Sequence, residues 1–128
     1  MAKKIVVVID DDQEFADAVT NLLEANGYTV LSAPDGTKGF ALVKKEQPAV
    51  ILLDVMMTHK SEGFDVSRTL RNSEETKNIP IILVTGIRRE MALPFGFEPD
   101  EEWLPVKTVL EKPVAPEILL KTIRELAR

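Results

Sequence analysis

The sequence predicts an α/β domain in which helices cover both faces of a parallel β-sheet. Short apolar runs alternate with segments of helical periodicity along most of the chain. Three of the runs are near-continuous Val, Ile and Leu, which is typical of strands buried on both faces. The 128 residues correspond to one ordinary domain. We therefore expect a single domain over 1–128, with no output domain.

Five apolar runs mark the expected strands, namely Ile5–Ile9, 28–33, 49–53, 81–84 and 106–110. Between them, a first helix is predicted by four apolar residues on one helical face, Phe15, Val19, Leu22 and Leu23. Gly27 suits the C-terminal end of this helix. Helices are also predicted over 37–46, which Pro48 follows, and over 64–71. Pro116 is suited to open the last helix, with Leu119, Ile123 and Leu126 inward.

The stretch 87–105 breaks this regular alternation. It contains three prolines, Gly96 and a cluster of acidic residues over 98–102. Proline and glycine both weaken helices, so we expect an irregular region in place of a regular helix between the last two strands.

Composition excludes several classes of site. The chain has no cysteine and one histidine, His59, which excludes disulfides, thiolate metal sites and a histidine-built zinc site. We interpret His59 as an exposed loop residue. The net charge of −5 argues against nucleic-acid binding, because phosphate recognition needs a basic face. Since no apolar stretch approaches the length of a membrane span, we expect a soluble, cytoplasmic protein with no membrane contact.

Polar residues follow the buried runs where each expected strand ends. Asp10 and Asp11 follow the first run, Asp54 the third, Thr85 the fourth and Lys112 the fifth. In open parallel sheets, ligands bind outside the carboxyl ends of the strands. If the strands are neighbours, three carboxylates, a hydroxyl and an ammonium group converge on one pocket.

This set of groups indicates phosphoryl chemistry. Three close carboxylates repel one another, and a hard divalent cation such as Mg²⁺ removes that repulsion while preferring oxygen ligands. An aspartate can act as a nucleophile and form an aspartyl phosphate. The cation, Lys112 and the Thr85 hydroxyl would neutralise the transferred group.

Four segments in order resemble the response-regulator receiver family: IVVVIDDD at 5–12, VILLDVMM at 50–57, IPIILVTG at 79–86 and LEKPV at 110–114. The resemblance covers the whole chain. It implies a flavodoxin-like, doubly wound, five-stranded parallel sheet of order 2-1-3-4-5, for which a member of this family is a standard example. It also implies a signalling domain, rather than an enzyme in the ordinary sense, that catalyses its own phosphorylation and dephosphorylation.

The same resemblance assigns roles to individual residues. Asp54 would accept the phosphoryl group, and Thr85 and Lys112 would contact it. Asp10, Asp11, Asp54 and the backbone carbonyl of Met56 would hold Mg²⁺ or Mn²⁺. The implied partners are a sensor histidine kinase or a histidine phosphotransfer protein, and a downstream protein bound in trans.

Three features depart from the family pattern. Thr58 replaces the usual proline after the acceptor, and one extra residue precedes Gly63. The stretch from Thr85 to Lys112 is a few residues longer than usual. Val109 occupies the position of the family's switch aromatic. We therefore expect activation to change how well ordered the segment 87–105 is, rather than to change the rotamer of an aromatic side chain.

Three other interpretations stay open at this stage. Asp12 is expected to cap the first helix, a role that Asp11 could share. The Asp10-Asp11-Asp12 run also resembles the haloacid-dehalogenase phosphohydrolases, with Asp10 as nucleophile and Asp12 as general acid. Finally, the altered loop and the missing aromatic are compatible with a receiver-like binding module that acts without phosphorylation.

Overall fold

The computed structural model describes residues 4–54, 62–85, 108–111 and 114–127. The elements in these ranges are, in chain order, β1(Ile5–Ile9), α1(Gln13–Ala25), β2(Thr29–Ala33), α2(Gly36–Glu46), β3(Val50–Asp54), α3(Glu62–Arg71), β4(Ile81–Thr85), β5(Thr108–Glu111) and α4(Pro116–Leu126). The predicted strands and helices are therefore confirmed, with bounds that differ by one or two residues. The region 87–105, for which an irregular structure is expected, lies outside the described residues.

The five strands form one parallel sheet in the order β2-β1-β3-β4-β5, as predicted. Strand β1 lies between β2 and β3, and its last residue, Ile9, is in register with Ala33 on one side and Leu53 on the other. The chain thus leaves β1 in one direction to form β2 and crosses back to form β3. Strand order reverses beside β1, which is where open α/β sheets place their ligands.

Alternate residues of the strands point to opposite faces and build two hydrophobic cores. On one face, Val7, Ile9 and Leu53 pack with residues of α2 and α3, including Val43 and Leu70. On the opposite face, the other set of strand residues packs with α1 and α4, including Val6, Val8, Leu23, Leu119 and Ile123. Helices therefore cover both faces, and the central strands are buried on both sides.

Side-chain caps and a glycine define the ends of the helices. The Asp12 and Asp35 carboxylates accept hydrogen bonds from the backbone N–H groups of Phe15 and Lys38 and so cap α1 and α2. Helix α1 ends at Ala25 and is followed by Gly27, whose φ is +91°, while the Tyr28 N–H donates to the Leu23 carbonyl. This is a Schellman ending, which favours glycine because it requires a positive φ.

The first and last parts of the described chain are in contact. The Lys4 ammonium group donates a hydrogen bond to the backbone carbonyl of Ala127, just beyond the last turn of α4. A positive charge at this end of a helix complements the unpaired carbonyls and the helix dipole. The contact therefore joins the beginning of β1 to the end of α4.

Within the described ranges, no helix is both long and apolar enough to cross a membrane.

Substitutions just after α1 and α2 should change the free energy of unfolding in opposite directions. Gln47 ends α2 with φ +48° and is the one non-glycine residue with positive φ among those described. We expect Gln47→Gly to raise the free energy of unfolding by about 0.5–1 kcal/mol, because a side chain is strained in this conformation. Gly27→Ala should lower it by about 1 kcal/mol for the same reason. Urea denaturation of both variants measures the changes, and shifts of the same sign would contradict the explanation.

Candidate functional site

The register of the central strands brings two carboxylates together at the carboxyl edge of the sheet. Ile9 and Leu53 are paired across β1 and β3, and Asp10 and Asp54 come directly after them. Because side chains alternate along a strand, both aspartates lie on the face of the sheet that α1 and α4 cover. Asp10 is 5% exposed and Asp54 is 4% exposed, so both carboxylates are taken out of bulk water.

Asp11 completes a group of three carboxylates. One oxygen from each of Asp10, Asp11 and Asp54 lies within 4.8 Å of the other two. Asp11 is exposed, whereas the other two are buried, so the group is open to solvent on the Asp11 side. The structure therefore brings together the three acidic residues that the sequence predicts as metal ligands.

Backbone hydrogen bonds hold Asp10 in place. Its N–H donates to the Ala33 carbonyl at 3.0 Å, which continues the pairing with β2 beyond the last strand residue. Its Oδ1 accepts a hydrogen bond of 2.8 Å from the Asp12 N–H. The second bond is not among the features predicted from the sequence, although an aspartate that accepts from the backbone two residues later is a common turn. The Asp10 carboxylate is thus oriented by the loop that leads into α1.

Asp12 is not part of the acidic group. Its side chain caps α1 through the Phe15 N–H at 3.2 Å, and the residue is exposed. The interpretation of Asp12 as a helix cap is therefore confirmed. Three consecutive aspartates thus serve different purposes, since Asp10 and Asp11 face Asp54 and Asp12 stabilises the helix.

The donor set suits a small hard cation. All three groups offer carboxylate oxygens, the ligand type that Mg²⁺ prefers. Two oxygens on opposite sides of one Mg²⁺ are about 4.2 Å apart, so oxygens within 4.8 Å need little movement to share an ion. A bound cation would also relieve the repulsion among three neighbouring negative charges. The residues present therefore fit a magnesium or manganese ion.

The remaining predicted site residues lie at or beyond the limits of the described chain. Thr85 is the last residue of β4, and its backbone is in register with Glu111 at the end of β5. Both therefore lie at the same edge of the sheet as Asp54. Lys112, Met56 and His59 lie outside the described residues.

The model of the response regulator receiver domain family matches residues 6–124 of this chain. Protein PilH of Pseudomonas aeruginosa is 36% identical over 118 residues, which cover 92% of this chain and 93% of PilH. The DNA-binding dual master transcriptional regulator RpaA of Synechocystis is 37% identical over 123 residues. That match covers 96% of this chain, but the chain spans only about half (48%) of RpaA.

Solved structures show the same architecture. Chemotaxis protein CheY4 of Vibrio cholerae superposes with a TM-score of 0.84 and 29% identity, covering 98% of this chain and 99% of that one. The receiver domain of the sensor histidine kinase PA1611 from Pseudomonas aeruginosa has a TM-score of 0.82 at 19% identity, covers 98% of both chains, and holds a magnesium ion in its active-site cleft. With the family model matched along nearly all of its length, this chain belongs to the response regulator receiver domain family of two-component signalling.

Proposed function

We propose that Asp54 is the phosphoryl acceptor of this receiver domain and that Asp10 and Asp11 hold the divalent cation needed for the transfer. The observation that carries the proposal is the group of three carboxylates at the switch point of the sheet. Asp54 lies at the end of the central strand β3 and is buried, whereas Asp11 is exposed. The acceptor is therefore enclosed while the cation site keeps a side open to water.

The reaction is a displacement at phosphorus. A carboxylate oxygen of Asp54 attacks the phosphorus atom of a phosphohistidine on the partner protein. The new P–O bond forms as the P–N bond breaks, and the imidazole leaves with the bonding electron pair. Attack by water on the aspartyl phosphate later releases inorganic phosphate and restores the carboxylate. Both steps need charge neutralisation around the transferred group.

The chain's own residues divide this work. Asp10, oriented by the Asp12 N–H, and Asp11 would hold the ion together with Asp54 and the Met56 carbonyl. A bound Mg²⁺ would neutralise the phosphoryl oxygens and the acceptor. By their positions in the family motif, the Thr85 hydroxyl and the Lys112 ammonium would contact the remaining phosphoryl oxygens. The backbone placement of Thr85 beside Glu111 supports this assignment, because Lys112 follows Glu111 directly.

The result of phosphorylation is a changed protein surface rather than a released product. We propose that a sensor histidine kinase or a histidine phosphotransfer protein supplies the phosphoryl group and that the changed surface binds a downstream protein. The 128 residues would act as one receiver domain in this signalling exchange. The magnesium ion in the cleft of the PA1611 receiver domain supports the proposed cofactor.

The phosphohydrolase interpretation loses its support. It requires Asp12 as a general acid, but Asp12 caps α1 and lies outside the acidic group. It also leaves the buried Asp54 without a role.

The first prediction concerns the acceptor. Treatment with acetyl phosphate and Mg²⁺ should label Asp54, because it is the carboxylate at the end of β3 facing Asp10 and Asp11. Mass spectrometry of the borohydride-reduced protein locates the label. We expect Asp54→Asn to abolish labelling, whereas Asp12→Asn, which removes a neighbouring charge, should leave it intact. Label on Asp10, or full labelling of Asp54→Asn, would refute the assignment.

The second prediction separates cation binding from helix capping by means of two adjacent aspartates. With Mg²⁺ at about 100 times its Kd, the parent protein should gain about 2.7 kcal/mol of unfolding free energy. Asp11→Ala should lose most of this gain because a ligand is removed. Asp12→Ala should cost about 1 kcal/mol through loss of the cap, yet keep the full gain from Mg²⁺.

Chemical denaturation with and without Mg²⁺ measures the gain from Mg²⁺ in each of the three proteins and the cost of Asp12→Ala. Since both substitutions delete one negative charge at neighbouring positions, a general charge effect would reduce the Mg²⁺ gain equally in both. That result would contradict the assignment of Asp11 as a ligand.

The third prediction concerns Lys112. An ammonium group on a flexible stem is suited to pair with an anion rather than to support a core. We expect Lys112→Ala to unfold within about 0.5 kcal/mol of the parent, the usual range for surface changes, and to lose the stabilisation that beryllofluoride, a phosphoryl mimic, gives the parent. A large loss of stability with a normal beryllofluoride response would assign Lys112 to the fold instead.

A further inference from the structure

We propose that Gly39 is a positioning residue for the acidic site, because it allows α2 to lie directly against Ile9, the residue that precedes Asp10. The inference rests on the proposed function of Asp10 as a cation ligand and extends it to a helix on the opposite face of the sheet. Gly39 is buried in α2 and has a helical conformation, so its backbone does not require glycine. The requirement comes from the space around it.

A methyl group at Gly39 would overlap almost the whole Ile9 side chain. It would lie 2.6 Å from Cδ1, 2.7 Å from Cγ1 and 2.9 Å from Cγ2, all well inside contact distance. Turning the end of the side chain would move only Cδ1. Because isoleucine is branched at Cβ, its χ1 angle is stiff, and the residue is 0% exposed within a packed core. The overlap can therefore be relieved only by moving α2 or β1.

Strand β1 transmits such a movement to the site. Ile9 is bonded to Asp10, and across the sheet it is in register with Leu53, which precedes Asp54. Pushing Ile9 away from α2 therefore displaces the end of β1 that carries Asp10. The three carboxylates must each keep one oxygen within reach of the same ion. Binding sites lose affinity when ligands move by fractions of an ångström, so a small shift should be measurable.

Helix α2 is fixed on both sides of Gly39. Its first turn is capped by Asp35, whose carboxylate accepts from the Lys38 N–H at 2.8 Å, and its Val43 is fully buried in the same core. Asp10 lies beyond the last residue of β1, where the chain enters the loop that leads to α1; its N–H donates to the Ala33 carbonyl and its side chain accepts from the Asp12 N–H. We therefore expect the strand end to yield rather than the helix.

The test compares Gly39→Ala with Gly27→Ala. Both substitutions add one methyl group and should lower stability. At Gly27 the added Cβ would have no atom within 4 Å, so the strain there would come from the positive φ alone. Gly27 precedes β2, at the end of the sheet away from the site. We expect Gly39→Ala to bind Mg²⁺ about tenfold more weakly, as for supporting residues of metal sites, and Gly27→Ala to bind as the parent does.

A second readout does not depend on the metal. In the metal-free protein, the amide NMR signals of Asp10 and Asp11 should shift in Gly39→Ala and stay in place in Gly27→Ala. If the parent binds Mg²⁺ and Gly39→Ala binds it equally well with an unchanged Asp10 amide, the inference is overturned. If the parent itself fails to bind Mg²⁺, the proposed cation site is wrong, and the amide signals still decide whether Gly39 positions Asp10.

A compensating substitution identifies the route. Ile9→Val removes Cδ1, the carbon nearest to the added methyl group, but keeps the two carbons at 2.7 and 2.9 Å. The double variant Ile9→Val/Gly39→Ala should therefore recover part of the lost Mg²⁺ affinity. An effect of Gly39→Ala that is equally large in both backgrounds would exclude Ile9 as the route. Should Gly39→Ala alone fail to fold, the amide and affinity comparisons are made in the Ile9→Val background, where smaller changes of the same sign are expected and their absence overturns the inference.

Discussion

The site depends above all on the register between β1 and β3. Hydrogen bonds pair Ile9 with Leu53, and this single alignment places the next residues, Asp10 and Asp54, side by side on the same face. Because side chains alternate along a strand, a slip of one residue would turn one carboxylate toward α2 and α3 and leave an apolar side chain in its place. The apolar residues that lock the register thus determine the chemistry, although none of them takes part in it.

The same alignment carries an electrostatic cost. Two of the three carboxylates are almost fully buried, and crowded negative charges oppose the folded state unless something compensates them. Part of the compensation is local, since the Asp12 N–H donates to Asp10. A ligand that brings positive charge would relieve the crowding further. A site that is unfavourable for the fold is in this way favourable for binding, which is a common relation between stability and function.

Much of this could be predicted from the sequence because strong local patterns coincide with the global fold. The buried runs, the helix cap at Asp12 and the glycine at the end of α1 each have a local physical cause, and the structure confirms them. The contact between Gly39 and Ile9 could not be predicted, because it depends on how closely α2 approaches the sheet. The bond from the Asp12 N–H to Asp10 is of a common turn type, but its formation here depends on the path of one loop. The roles of Thr85 and Lys112 still rest on their place in the family motif.

The contact between Lys4 and Ala127 has a consequence for engineering. Because the Lys4 ammonium group reaches the Ala127 carbonyl, the two ends of the described chain lie within about the length of one lysine side chain of each other. Such a unit can be spliced into an exposed loop of a host protein without forcing the host's own chain apart, since domain insertion is tolerated where chain ends lie close together.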